Sequence, residues 1–130
     1  MTAKGSFEVD SSPLDFSTGG NEGITLGRMS LKKTFTGDLD ASSAGEMLTA
    51  MTPTDGSAGY VAIEQVTGSL AGRKGSFVLQ HFGSMQAGDE RLILEVVPAS
   101  GTGELSGLSG RMSISVEDGE HKYEFEYALE

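Results

Sequence analysis

Thr67-Gly68-Ser69-Leu70-Ala71-Gly72-Arg73-Lys74-Gly75-Ser76-Phe77 reads as one β-hairpin, and near-copies of it recur on either side. Thr102-Gly103-Glu104-Leu105-Ser106-Gly107-Leu108-Ser109-Gly110-Arg111-Met112 repeats its pattern, Thr-Gly-x-Leu-x-Gly-x-x-Gly-x-apolar. Thr36-Gly37-Asp38-Leu39-Asp40-Ala41-Ser42-Ser43-Ala44-Gly45-Glu46-Met47 is a looser copy, one residue longer. Gly72-Arg73 and Gly107-Leu108 have the composition of a two-residue type II′ loop, in which glycine takes the positive φ at the first central position. Counting outwards from those turns, Leu70 faces Gly75, Gly68 faces Phe77, Leu105 faces Gly110 and Gly103 faces Met112. Large side chains opposite glycines suit tight sheet curvature, where two bulky neighbours would not both fit on the inner face.

The rest of the chain agrees. Residues 3–10 alternate, with Ala3, Gly5, Phe7 and Val9 on one side, as a strand should. Ser11 to Gly23 is rich in Ser, Gly, Asp and Pro and reads as a loop. Further strands are expected over 24–36, 45–51, 58–68, 75–83, 91–97, 102–106, 109–117 and 120–128, with Pro53-Thr54-Asp55-Gly56 as a turn. Asp118-Gly119 is a type I′ signal and sets Ile114 opposite Tyr123 and Met112 opposite Phe125 on an apolar face. On the other face Arg111 meets Glu126 and Ser115 meets Lys122, and Glu104 is expected to extend an outer Glu104–Arg111–Glu126 ladder. Many short strands with regular turn signals and no sustained helical period make an all-β sandwich or barrel in a single domain over residues 1–130.

Composition narrows the function classes. A formal charge of −10 argues against nucleic acid and against anionic membrane surfaces, both of which need clustered Lys and Arg. There is no cysteine, hence no disulfide framework or thiolate chemistry. With no apolar leader and no stretch long enough to span a bilayer, the expected setting is cytoplasmic. Two distant histidines do not make a zinc site, Asp38-x-Asp40 lacks a full calcium loop, and the glycines serve turns rather than a phosphate cradle, so no metal or cofactor is expected.

Register carries the one chemical suggestion. Counted from the Gly72-Arg73 turn, Glu64 faces His81, and stepping by two puts Tyr60, Ala62, Glu64 and Val66 inward with Leu79 and His81. An intervening bulge would reverse this. A carboxylate beside an imidazole on an inner face is either an acid/base dyad, with Glu64 holding the tautomer and His81 moving the proton, or a mutually satisfied polar pair in a core. Tyr60, Leu79, Tyr123 and Tyr127 are the candidate ligand-contacting residues around it. The run Leu92-Ile93-Leu94-Glu95-Val96-Val97 suggests a strand covered on both faces, one by the core and one by a partner subunit, which points to a homodimer or higher homo-oligomer.

Several segments together resemble an uncharacterised bacterial family, domain of unknown function 3224. They are Thr34–Leu39, Gly45–Ala50, Ser57–Glu64, Gly75–His81 and Val97–Leu105, and the resemblance runs from about residue 3 to the C-terminus. It implies a small eight-stranded antiparallel β-barrel of the allene oxide cyclase type. The Gly101-Thr102-Gly103 hairpin is also similar to one in plant dirigent proteins, which share that barrel. The implied property is a cavity for an apolar small molecule; no activity transfers with a fold. The N-terminal loop departs from the family in reading Ser11-Ser12-Pro13-Leu14-Asp15-Phe16 without tryptophan, and Phe82 is bulkier than expected.

The leading expectation is therefore a barrel that binds an apolar or aromatic molecule and supports isomerase- or cyclase-like proton transfer through Glu64 and His81. A second is a non-catalytic structural or stress-related homo-oligomer with a filled core. A third is acid-type hydrolysis by inward carboxylates. A cavity of a few hundred Å³ beside the pair distinguishes the first from the second.

Overall fold

The structure, a computed structural model covering residues 1–130, is almost entirely strand. The strands are β1 (Thr2–Asp10), β2 (Pro13–Leu14), β3 (Thr25–Gly37), β4 (Leu39–Met51), β5 (Ala58–Leu70), β6 (Arg73–Gln86), β7 (Asp89–Val96), β8 (Leu108–Glu117) and β9 (Glu120–Leu129). Their order is β1-β9-β8-β7-β6-β5-β4-β3-β2, and β1 also pairs with β3. That extra pairing closes the eight long strands into an antiparallel barrel, with β2 clipped to β3 at Pro13–Met29. No helix is long and apolar enough to cross a membrane.

Local turn chemistry explains the hairpins. Asp118 and Gly119 both take positive φ (52° and 78°), the type I′ geometry, and the register Ile114–Tyr123, Met112–Phe125, Arg111–Glu126 follows. The β5–β6 turn differs from the expected one. It is Ala71-Gly72 (φ 49° and 85°), again type I′, so Leu70 pairs with Arg73. A type I′ turn matches the right-handed strand twist, and the Ala71 amide is held there by the Asp38 carbonyl at 2.8 Å. Moving the turn by one residue moves each partner by two. Glu64 therefore pairs with Leu79 and His81 with Ala62, rather than Glu64 with His81. A shift of two preserves the face, the register is continuous from Ala58–Met85 to Leu70–Arg73, and both side chains still point inward.

Three other expectations are corrected. Strand β4 begins at Leu39, not Gly45, because Phe35–Ala41 already pairs across a tight turn. Residues 102–106 form no strand; Gly103–Leu105 is a single 3-10 turn that drops Leu105 into the core. The connection from β7 instead runs beside β6. Ser76 and Thr102 exchange backbone and side-chain hydrogen bonds, and Ser100 Oγ accepts from the Val78 amide at 3.0 Å. Glu104 consequently accepts from the Lys74 amide at 2.9 Å, and Arg111 pairs with Glu95 at 3.4 Å, so the outer ladder through Glu104 does not form.

One half of the barrel interior is solid. Phe35, Leu39, Val66, Leu70, Phe77, Leu79, Leu94, Leu105 and Phe125 are fully buried, with Phe77 stacked on Phe125 at 5.8 Å. Each such side chain contributes about 1.5–3 kcal/mol of transfer free energy. Above this plug the inner face turns polar, then opens.

Candidate functional site

The polar layer is assembled from four adjacent strands. Lys33 on β3, Ser43 on β4, Glu64 on β5 and His81 on β6 are all buried and all face inward. The Glu64 side chain has no exposed surface. Its Oε1 accepts from Ser43 Oγ at 2.7 Å, and its Oε2 accepts from Lys33 Nζ at 3.0 Å and from His81 Nε2. Gly45 is the direct partner of Glu64 across β4–β5, and a Cβ there would lie 1.9 Å from the Ile63 carbonyl oxygen. Glycine is what lets the strands approach at this rung. The Lys33 ammonium also sits 4.9 Å from the centre of the Phe7 ring, a cation–π contact.

Burial alone would push the Glu64 carboxyl up. The hydrogen bond from His81, the charge of Lys33 and the Ser43 hydroxyl outweigh it and hold the group at about 2. Glu64 is thus a fixed anion near neutral pH, not a proton donor. No buried side-chain nitrogen or oxygen lacks a partner.

A relay climbs from this anion toward the open end. In the neutral imidazole whose Nε2–H donates to Glu64, the other ring nitrogen, Nδ1, is left as an acceptor. It lies 3.3 Å from the Tyr60 hydroxyl. Tyr60 pairs with Gly83, where a Cβ would fall 2.2 Å from the ring; glycine leaves the space in which the ring lies against β6. Burial, then the charges of Glu64 and Glu90, raise the Tyr60 phenol, which is therefore neutral.

Tyr60 is also a wall of a cavity of about 310 Å³ at the open end of the barrel. Met47, Thr49, Met51, Met85 and Leu92 line it with Tyr60, and the lining is mainly apolar. Methionine thioethers are soft and adaptable, a lining suited to flat or irregular apolar ligands. The Glu64–His81–Tyr60 arrangement is a carboxylate, an imidazole and a hydroxyl in series, and the last residue of the series lines the cavity. No group of three or more His, Cys, Asp or Glu side chains is placed to hold a metal.

The other candidate residues lie elsewhere. Leu79 is fully buried beneath the polar layer. The Tyr123 hydroxyl donates to the Thr36 carbonyl and accepts from the Leu39 amide, both at 2.9 Å. Tyr127 stacks on Phe125 at 5.4 Å. None of these three lines the cavity. Glu95 points outward to Arg111. Lys33 and Ser43 were missed. The signal for Lys33 was its place between Leu31 and Phe35 at strand spacing; Ser43 was hidden by starting β4 too late.

The family model described as "Protein of unknown function (DUF3224)" matches residues 3–127. The chain belongs to the DUF3224 family. A crystal structure of a protein of unknown function from the DUF3224 family of Shewanella oneidensis MR-1 is 58% identical. It superposes with a TM-score of 0.98 over 100% of this chain and 97% of that one. No curated protein matches the sequence. The DUF3224 barrel is therefore shared at high identity.

Proposed function

We propose that this DUF3224 protein binds a small apolar or aromatic molecule bearing a hydrogen-bonding oxygen in the cavity at the open end of the barrel. The observation that carries this reading is Tyr60, a residue of the apolar cavity wall whose hydroxyl lies 3.3 Å from Nδ1 of the His81 that bonds Glu64. The reaction the arrangement suits is isomerase- or cyclase-like proton transfer. Tyr60 passes a ligand proton to His81 Nδ1, Glu64 stabilises the resulting imidazolium, and the proton returns to another ligand atom, so none is gained or lost. Tyr60 is the group that touches ligand. His81 is the relay, and Glu64, with Lys33 and Ser43, positions it. An acidic, cysteine-free chain fits a cytoplasmic setting, with neither nucleic acid nor membrane as partner.

A second reading is favoured by the complete hydrogen bonding of the polar layer and the solid packing beneath it: a non-catalytic, structural homo-oligomer. Methyl NMR separates the two. A library of aromatic and alicyclic carbonyl fragments is titrated while the Met47, Met51 and Met85 methyls are observed. Binding that shifts these methyls and weakens about tenfold in Tyr60→Phe, the equivalent of one hydrogen bond, supports the first reading. Silence of all three methyls across the library overturns it.

A further inference from the structure

The outer surface of the barrel is two-sided. Register places Leu48, Val61, Phe82 and Ile93 in one outward row across β4, β5, β6 and β7. The first three are 43%, 47% and 46% exposed, and Ile63 in the next row is 52% exposed. The row on one side is Ala50–Gly59–Ser84–Arg91, and on the other Glu46–Ile63–Gln80–Glu95, followed by Ala44–Gln65–Val78. The charged residues are carried by β4 and β7, and from β7 the Arg91 guanidinium reaches over the Phe82 ring, 5.4 Å from its centre. Between them, the outward positions of β5 from Gly59 to Ser69 and of β6 from Ser76 to Gln86 include no charged side chain. Two shallow grooves of about 530 and 340 Å³ meet at Leu48, Val61 and Phe82, and the second continues to Phe16 and Leu26. The opposite wall differs: Lys4, Glu8, Arg111, Lys122, Glu124 and Glu126 point outward there.

We propose that the β4–β7 face docks a second copy of this chain. Loss of charge from the centre of a surface, with apolar and aromatic residues in its place, is the composition of an interface core. In a chain of net charge −10, this wall is the one on which two copies approach without opposing like charges at the centre. An isologous dimer needs a self-complementary patch. With the two-fold axis lying along the Leu48–Ile93 row, each copy's Arg91 row covers its partner's Glu46–Glu95 row. Arg91 then meets Glu95 of the partner subunit, and Glu46 meets the partner's Ala50. The axis relates three of these rows. Four strands about 4.8 Å apart and three rows about 6.8 Å apart cover roughly 400 Å² per copy. Two copies bury roughly 800 Å², and the continuation of the groove to Phe16 and Leu26 extends the contact toward the roughly 1,000 Å² of a specific interface. Phe82 and Val61 thereby acquire a role, and the strands that carry Tyr60 and His81 inward carry the dimer contact outward.

Sedimentation equilibrium of the full chain from roughly micromolar to millimolar concentration tests this. The expected result is a dimer whose mass halves in Ile63→Lys and in Phe82→Glu, with the strand circular dichroism retained. Ser113→Lys, on the opposite wall, should leave the dimer intact. Arg91→Glu should weaken it at least tenfold, and adding Glu95→Arg should restore it. A monomer throughout, an oligomer indifferent to both patch variants, or a monomer that uses this face for vesicles or an unrelated protein overturns the proposal. Should the patch variants fail to fold, a spin label on Gln65→Cys decides, because the chain has no cysteine of its own. The distance between copies should be shorter than from Ser113→Cys; an equal or longer distance overturns the dimer.

Discussion

Replacing Glu64 by glutamine keeps the side chain's size and removes its charge, which isolates what the buried anion does. Near neutral pH the variant leaves the Lys33 ammonium, 5% exposed, without its carboxylate. Breaking one partner out of a buried pair costs about 3–5 kcal/mol. The pH dependence is the sharper readout. The Glu64 carboxyl falls from 4.5 to about 2 on folding. That difference, 2.5 units at about 1.4 kcal/mol each, is roughly 3 kcal/mol of stability tied to its ionisation. Because the folded value lies below the unfolded one, this stabilisation is fully present above about pH 4.5 and is lost as pH falls toward about 2. Glutamine has no such transition. The penalty of Glu64→Gln relative to the parent should therefore shrink by most of roughly 3 kcal/mol between about pH 5.5 and about pH 2. Urea unfolding at constant ionic strength, with both proteins measured at each pH, gives the difference directly and cancels the other carboxylates. A companion Lys33→Met/Glu64→Gln variant should recover more than about 1 kcal/mol relative to the sum of the single changes. A penalty that stays constant from neutral to acid pH would refute the argument, since Glu64 would then not be the ionised partner of Lys33 and His81.

Three further outcomes are expected. Tyr60→Phe removes the hydroxyl facing His81 Nδ1 and should cost about 1 kcal/mol or less; imidazole ¹⁵N shifts should show Nδ1 as acceptor in the parent and changed in the variant, and identical spectra would disprove the contact. Gly83→Ala puts a Cβ 2.2 Å from the Tyr60 ring, so the ring must swing off His81 at a cost of about 1–3 kcal/mol; a Tyr60 position unchanged by crystallography would count against the packing described. Ala71→Asn should raise stability by about 1 kcal/mol, because asparagine accepts the left-handed conformation (φ 49°) that alanine adopts under strain; destabilisation would argue against a type I′ turn.

The residues of the relay were legible to different depths. Glu64, His81 and Tyr60 all lie within one hairpin, β5–β6, and their common face follows from the two-residue period of a strand. Placing the turn one residue late changed every partner and no face. The copy at Thr102–Met112 forms no hairpin, because composition alone cannot tell turn glycines from glycines in a loop. Thr102 and Ser100 use their hydroxyls on the β6 backbone, and Leu105 is buried in the core.

What the sequence by itself determined is local: strand period, turn residues, and hence which side chains share an inner face. Asp118-Gly119 set its hairpin register to the residue because two positive-φ positions allow one alignment of the flanking strands. What only the tertiary structure decided is which inward residues from distant segments come within bonding distance. Lys33 and Ser43 reach Glu64 from 31 and 21 residues away through β3–β4–β5 pairing. The boundary between the filled half of the barrel and the cavity lined by Tyr60 likewise depends on strand stagger around a closed ring. That stagger is a sum over all eight pairings, and no single hairpin encodes it.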